Sequence, residues 1–145
     1  MIQNQLGYTC VIQALRTANA LWKESRRFFA PYGLTEAQFN VLHLLGQQQQ
    51  GMSQRELSEL LLVDRSNITL LLDRMSAKDW IKRQDVPGDR RVYRVTLTKS
   101  GEALWKKVLP PYLTAMDSIT KSFSTKDLQT LHALLQKLEK QAGSW

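Results

Sequence analysis

Two short stretches of this 145-residue chain carry side chains suited to gripping a polyanion. In the first, Arg65, Ser66, Asn67 and Thr69 fall close together and Arg74 follows two turns later. They supply cationic and neutral hydrogen-bond donors, and an Asn amide both donates and accepts. In the second, Asp89, Arg90 and Arg91 follow Pro87-Gly88. A guanidinium is a planar fork that matches phosphate oxygens and base edges. From Arg74 to Arg94 there are seven basic side chains (Arg74, Lys78, Lys82, Arg83, Arg90, Arg91, Arg94) against three acidic ones (Asp79, Asp85, Asp89), so four units of the chain's net +7 charge fall there. Such clustering is what a phosphate-gripping surface needs, whereas basicity alone identifies no partner.

Other chemistry is poorly supplied. No nucleophile–base pair and no phosphate-binding loop is present, so no catalytic residue is assigned and an enzyme is not expected. Cys10 is the single cysteine, which excludes an internal disulfide and a Cys-based zinc site, and with only His43 and His132 beside it no metal site or cofactor is expected. Met1 to Gln5 lacks a basic segment followed by an apolar one, and no apolar run approaches the ~18 residues of a membrane span, so a cytoplasmic protein is expected.

The elements that must position these residues follow from periodicity. Val11, Leu15, Ala18 and Trp22 mark a first helix from Thr9 to about Phe29, broken by Pro31 and Gly33. Thr35-Glu36-Ala37-Gln38 is a capping box opening a second helix, with Phe39, Leu42 and Leu45 on its face, ending near Gly46. Ser53-Gln54-Arg55-Glu56 is another, opening a short helix with Leu57, Leu60 and Leu61 inward. Leu62-Val63 make a turn and Asp64 caps a longer helix whose buried face is Ile68, Leu71, Leu72 and Met75. A short helix, a tight turn and a longer amphipathic helix make a helix-turn-helix. Ile81–Asp85 and the alternating Val92–Thr98 then form a β-hairpin around Pro87-Gly88-Asp89. The expected fold is mainly α with a small β-hairpin wing (α+β), a winged helix-turn-helix over residues 35–98. Residues 1–34 and 99–145 supply terminal helices. Among these, a stretch from Thr98 towards Lys121 must kink or break at Pro110-Pro111, and Ser124 with Asp127 caps a last, leucine-rich helix. The terminal helices hold more apolar residues than one small lobe could cover, which suggests a dimer interface.

Residues 53–101 resemble the MarR family of bacterial transcriptional regulators. The resemblance is carried by Asp64-Arg65-Ser66-Asn67-Ile68-Thr69, Leu72-Asp73-Arg74-Met75, Trp80-Ile81-Lys82-Arg83, Gly88-Asp89-Arg90-Arg91 and Val95-Thr96-Leu97-Thr98-Lys99-Ser100-Gly101. Upstream, Tyr32-Gly33-Leu34-Thr35-Glu36-Ala37-Gln38-Phe39 is similar to the family's junction between first and second helices. The resemblance implies a homodimer joined through terminal helices, each subunit presenting one winged helix to an inverted-repeat operator in double-stranded DNA. It further implies a ligand-responsive repressor, released by a small aromatic or anionic effector.

On that basis the fourth helix enters the major groove, with Arg65, Ser66, Asn67 and Thr69 reaching bases or nearby phosphates. At Leu70 the chain departs from the family, where an Arg often stands; an apolar Leu suits a thymine methyl instead. Arg74 has two open readings, a phosphate grip or a brace to the wing, and Asp73 belongs to such a brace. In the wing, the family's Asp-x-Arg pattern makes Arg91 the minor-groove contact, with Asp89 holding it and Arg90 beside it. Lys82, Arg83 and Arg94 read as ordinary phosphate contacts. Trp80 closes the junction between recognition helix and wing, and Trp22 and Trp105 read as core or interface. His43 reads as a hydrogen-bonded structural residue and Cys10 as a buried structural thiol. Two alternatives stay open: a redox-sensing regulator using Cys10, and a winged helix that binds only proteins.

Overall fold

The computed structural model describes residues 2–61 and 65–144, with side chains described for 5–61 and 67–144. The order is α1 (Ile2–Phe29), a 3-10 turn (Ala30–Tyr32), α2 (Glu36–Gly46), β1 (Met52–Ser53), α3 (Gln54–Leu61), α4 (Arg65–Ala77), β2 (Ile81–Val86), β3 (Asp89–Leu97), α5 (Lys99–Thr120) and α6 (Thr125–Ala142). The chain forms two compact units, residues 1–108 and 109–145, divided within α5.

In the first unit, α2 begins where its cap predicts. The Gln38 backbone N–H donates to the Thr35 hydroxyl at 3.2 Å, and the Thr35 N–H donates to the Gln38 side-chain oxygen at 3.0 Å. Phe39, Val41, Leu42 and Leu45 of α2 pack with Leu57, Ile68, Leu72, Met75, Ile81 and Val95, all almost wholly shut off from solvent. Phe29 closes the end of α1 by stacking on Phe39, with ring centroids 4.9 Å apart. One helix face from each of α2, α3 and α4 and one sheet face thus make a single core. The sheet is three-stranded and antiparallel, in the order β1-β3-β2. β1, with two residues, pairs Met52 with Val95 and Ser53 with Arg94, a strand the sequence reading did not anticipate. Two residues that double as the approach to a helix cap carry no alternation to read.

Other expectations shift. α1 starts at Ile2 rather than near Thr9. In α3 only Leu57 is buried; Leu60, expected inward, is 60% exposed and Leu61 is half-buried. On a wheel of about 100° per residue Leu60 and Leu61 flank Leu57 at about 60° and 40°, so Leu57 takes the centre of the apolar stripe and the other two its edges. Leu71 is likewise half-buried. Cys10, expected buried, is exposed: residues 5–11 of α1 are all open to solvent in the isolated subunit. The predicted turn at Leu62-Val63 and the cap at Asp64 lie outside the described residues.

The second unit contains the end of α5 and all of α6. Helix α5 runs unbroken through Pro110 and Pro111. The prolines remove the donors for the carbonyls of Lys106 and Lys107, both on exposed residues where water can replace them. Helix α6 opens on a capping box in which the Asp127 N–H donates to the Ser124 hydroxyl at 3.1 Å and the Ser124 N–H to the Asp127 carboxylate at 2.9 Å. The Ser124 hydroxyl also donates to the Asp127 carboxylate at 2.7 Å, and this bond first, with that from the Ser124 N–H, holds the exposed Asp127 carboxyl below its ordinary range. Leu131, Leu134 and Leu135 of α6 are exposed. No helix among the described residues is long and apolar enough to cross a membrane.

Candidate nucleic-acid interface

The interface is built on α3, α4 and the β2–β3 wing. Helix α3 is anchored by its capping box: the Ser53 N–H donates to Glu56 at 2.7 Å and the Glu56 N–H to the Ser53 hydroxyl at 3.1 Å. The Ser53 N–H bond is the main reason that the Glu56 carboxyl sits below its ordinary range. Helix α4 buries Ile68, Leu72 and Met75 completely and leaves Asn67, Thr69, Leu70, Asp73 and Arg74 exposed. Leu70 lies about 200° round the helix from both Ile68 and Leu72, so it projects almost straight away from the core. It is 50% exposed, an apolar side chain at the centre of a polar face. Arg65 and Ser66 belong to the first turn of α4, but their side chains lie outside the described residues.

In the wing, β2 and β3 pair regularly from Ile81 opposite Leu97 to Asp85 opposite Tyr93. The next pair is Val86 opposite Asp89, so a single step along β2 is matched by four along β3. Arg90, Arg91 and Val92 are therefore thrown out of the ladder as a bulge, and all three are exposed. Pro87-Gly88 make the turn itself, with Gly88 at φ +88°, where a side chain would be strained. Asp89 fixes the bulge through the backbone: the Arg91 N–H donates to its carboxylate at 2.9 Å.

The remaining cations of the region divide sharply. Arg83 pairs with Asp73 of α4 at 2.7 Å and lies 5.4 Å from the centre of the Tyr93 ring. Arg94 donates to the carbonyls of Gln50 and Gly51 at 3.0 and 2.8 Å and approaches Glu56 at 3.9 Å. Both were expected as phosphate contacts, but both are engaged inside the subunit. The brace foreseen for Asp73 exists, and its cation is Arg83 rather than Arg74. Lys78 is drawn over Trp80, 4.5 Å from its ring centre. Arg74, Lys82, Arg90 and Arg91 remain, exposed and with no side-chain partner among the described residues.

The Leu97-Thr98-Lys99-Ser100-Gly101 segment locks the base of the wing. The Thr98 N–H donates to the Trp80 carbonyl at 3.1 Å, while the Thr98 hydroxyl donates to the Asp79 carbonyl and accepts the Gly101 N–H at 3.0 Å. A Cβ on Gly101 would stand 1.9 Å from the Trp80 carbonyl oxygen, so glycine is required there. Trp80 closes the junction through its backbone carbonyl, while its ring lies under the Lys78 ammonium. Further back, the Trp105 indole N–H donates to Nδ1 of His43 at 3.2 Å, and His43 stacks on Phe39. An indole N–H can only donate, so Nδ1 carries no proton in this arrangement. Sequence reasoning overlooked Gln54 and Tyr93. The Tyr93 hydroxyl donates to Gln54 at 2.8 Å, and the Gln54 amide donates to Thr69 at 2.6 Å. These residues border a groove of about 530 Å³ between α3, α4 and the wing. The only local signal was an aromatic in an alternating strand.

Comparison with known proteins agrees with this geometry. The MarR family model matches residues 32–92. The transcriptional activatory protein BadR of Rhodopseudomonas palustris is 36% identical over 139 residues, covering 93% of this chain and 79% of BadR. The transcriptional repressor MprA of Escherichia coli K12 is 28% identical over 119 residues, 81% of this chain and 68% of MprA. The crystal structure of a mutant E. coli MarR complexed with operator DNA superposes with a TM-score of 0.74 at 27% identity, covering 90% of this chain and 96% of that one.

Proposed function

The chain belongs to the MarR family of transcriptional regulators, and on that premise we propose that it binds an inverted-repeat operator as a homodimer joined through its terminal helices. Recognition helix α4 lies in the major groove, where Arg65, Ser66, Asn67 and Thr69 reach bases or phosphates and Leu70 meets a thymine methyl. The wing bulge delivers Arg91, with Arg90 beside it, to the adjacent minor groove, and Asp89 holds the bulge in shape. Arg74 grips a phosphate, the reading its lack of a described partner favours. A dimer would set its two recognition helices one DNA turn, about 34 Å, apart.

The observation that carries this reading is the division among cations. Arg83 of β2 and Arg94 of β3 are engaged by internal bonds, while Arg90 and Arg91 of β3 are extruded and exposed. A wing that served only stability would not spend a bulge on displaying two guanidinium groups. The named relatives include both an activatory protein and a repressor. The same geometry serves either outcome, since the position of the operator relative to the promoter sets the sign. Action on operator DNA places the protein in the cytoplasm, and a small aromatic or anionic effector is the expected ligand.

Selection from random duplex DNA followed by salt-dependent binding tests the proposal. An inverted repeat should emerge. The interface cations without a side-chain partner among the described residues are Arg74, Lys82, Arg90 and Arg91. Doubled by the dimer, they contribute a slope of log affinity against log salt of about −7, and any phosphate contact from Arg65 adds to it. Binding that ignores sequence, or no gel shift at low salt, would overturn it and favour a protein-binding winged helix.

A further inference from the structure

The geometry points to Tyr93 as a positioning residue that sets the aim of the wing relative to the recognition helix, and so sets operator discrimination without touching DNA. This rests on the DNA-binding reading above. β1 reaches only Arg94 and Val95 of β3, so Tyr93 is the first residue beyond the three-stranded part of the sheet. It is also the last regularly paired residue before the bulge that carries Arg90 and Arg91. Outward of Tyr93 the wing is a two-stranded ribbon, and such a ribbon has little rigidity of its own.

Two ties leave this one side chain, and both end on α4. The phenol hydroxyl donates to Gln54 at 2.8 Å, and Gln54 donates to Thr69 at 2.6 Å. The ring face receives the Arg83 guanidinium at 5.4 Å, and Arg83 pairs with Asp73 at 2.7 Å. Thr69 and Asp73 are four residues apart and so stand on adjacent turns of the same helix side. Holding α4 at two points from one pivot restricts both tilt and rotation of the ribbon, where a single bond would leave it free to swing. A recognition constellation needs its members held within about 0.5 Å, and Tyr93 is where Arg91 is referenced to the α4 contacts.

The test uses the full chain, the tightest duplex selected from a random pool, and a random duplex of equal length. Tyr93→Phe and Gln54→Met each break the hydroxyl tie and leave the Arg83–Asp73 pair. Each variant should keep cooperative thermal unfolding by circular dichroism. Each should bind the selected duplex about fivefold more weakly, the lower end of what one lost base-pair match costs, with random-duplex affinity within about twofold. Arg91→Ala should cost less in the Tyr93→Phe background than in the wild type, and the double variant Tyr93→Phe/Gln54→Met should be no worse than either single one. Unchanged discrimination overturns the inference, as does equal loss on both duplexes, or an Arg91→Ala penalty that is the same in both backgrounds. If one variant fails to fold, the other carries the same measurements. Enrichment of no duplex by the wild type would instead overturn the DNA-binding reading itself.

Discussion

Leu72 and Met75 in the winged-helix lobe are fully buried, whereas Leu15 of α1 and Leu134 of α6 are 57% and 59% exposed. All four lie on amphipathic helices with regular apolar spacing. The lobe answers its own hydrophobic pattern, because α2, α3, α4 and the sheet each turn one face to a shared core. The terminal helices do not. Leu6, Val11, Leu15 and Trp22 on α1, and Leu131, Leu134 and Leu135 on α6, exceed the scattered single exposures that a monomer surface carries. Amphipathicity states that a face will be covered; it does not state by what. The contrast is the one the proposed homodimer requires, with a lobe that covers its own core and terminal helices that leave an apolar face open.

The contrast can be broken most forcefully in the core. Leu72→Ala should lower stability by about 2–5 kcal/mol in urea unfolding, because it leaves a cavity at a fully buried core position. Retained wild-type stability would mean that the lobe is not the folding unit. Next in size, Leu134→Glu should convert a dimer to monomers by light scattering. It should weaken binding to the selected duplex by about 100-fold, near 2.7 kcal/mol, since the two half-sites lose their linkage. A variant that stays dimeric would place the interface elsewhere.

Smaller effects sharpen the lobe's own surface. Replacing thymine by deoxyuridine throughout the selected half-site removes only methyl groups. If Leu70 meets one of them, affinity should fall about fourfold per half-site, the equivalent of ~0.8 kcal/mol for a buried methyl, and Leu70→Ala should abolish the difference. Sensitivity retained in Leu70→Ala would assign the methyl contact to another side chain. The smallest effect lies where α1 meets α2. Burial pushes the Glu36 carboxyl above its ordinary 4.5, partly offset by a hydrogen bond from Ser25, and its Oε2 is buried without a hydrogen-bond partner among the described residues. The folded state therefore holds this proton more tightly than the unfolded chain. The favourable contribution is complete below pH 4.5 and is lost as pH rises through the raised value. Glu36→Gln should melt higher than the wild type at pH 7 and coincide with it below pH 4.5, a pattern that thermal scans across pH would confirm or refute.

The capping boxes at Thr35, Ser53 and Ser124 were legible in the sequence because each is a reciprocal pair of hydrogen bonds spanning three residues. So were the buried stripe of α4 and the wing's turn, which depend on spacing and on the torsional freedom of Gly88. The Gly101 requirement was visible only as a family pattern; its cause is the Trp80 carbonyl, 21 residues earlier in the chain. The site separated along the same line. Among residues whose role depends on facing outward, Asn67 could be nominated from the helical period and the basic tip at Arg90 and Arg91 from turn chemistry, while Leu70 and the choice of Arg91 came from the family resemblance. Residues whose role depends on a distant partner could not be nominated: nothing near Arg83 or Arg94 in the sequence announces their bonds to Asp73, Gln50 and Gly51.

By itself the sequence determined where the capped helices α2, α3 and α6 begin, which faces are apolar, and that a helix-turn-helix precedes a basic wing, because these rest on interactions within a few residues. Tertiary structure alone decided which cations are free. A guanidinium is committed by whatever carbonyl or carboxylate the fold brings within about 3 Å. For Arg94 those are carbonyls 43 and 44 residues away, and for Tyr93 it is Gln54, 39 residues away. Charge in the sequence is a supply; the fold decides how much of it still faces outward.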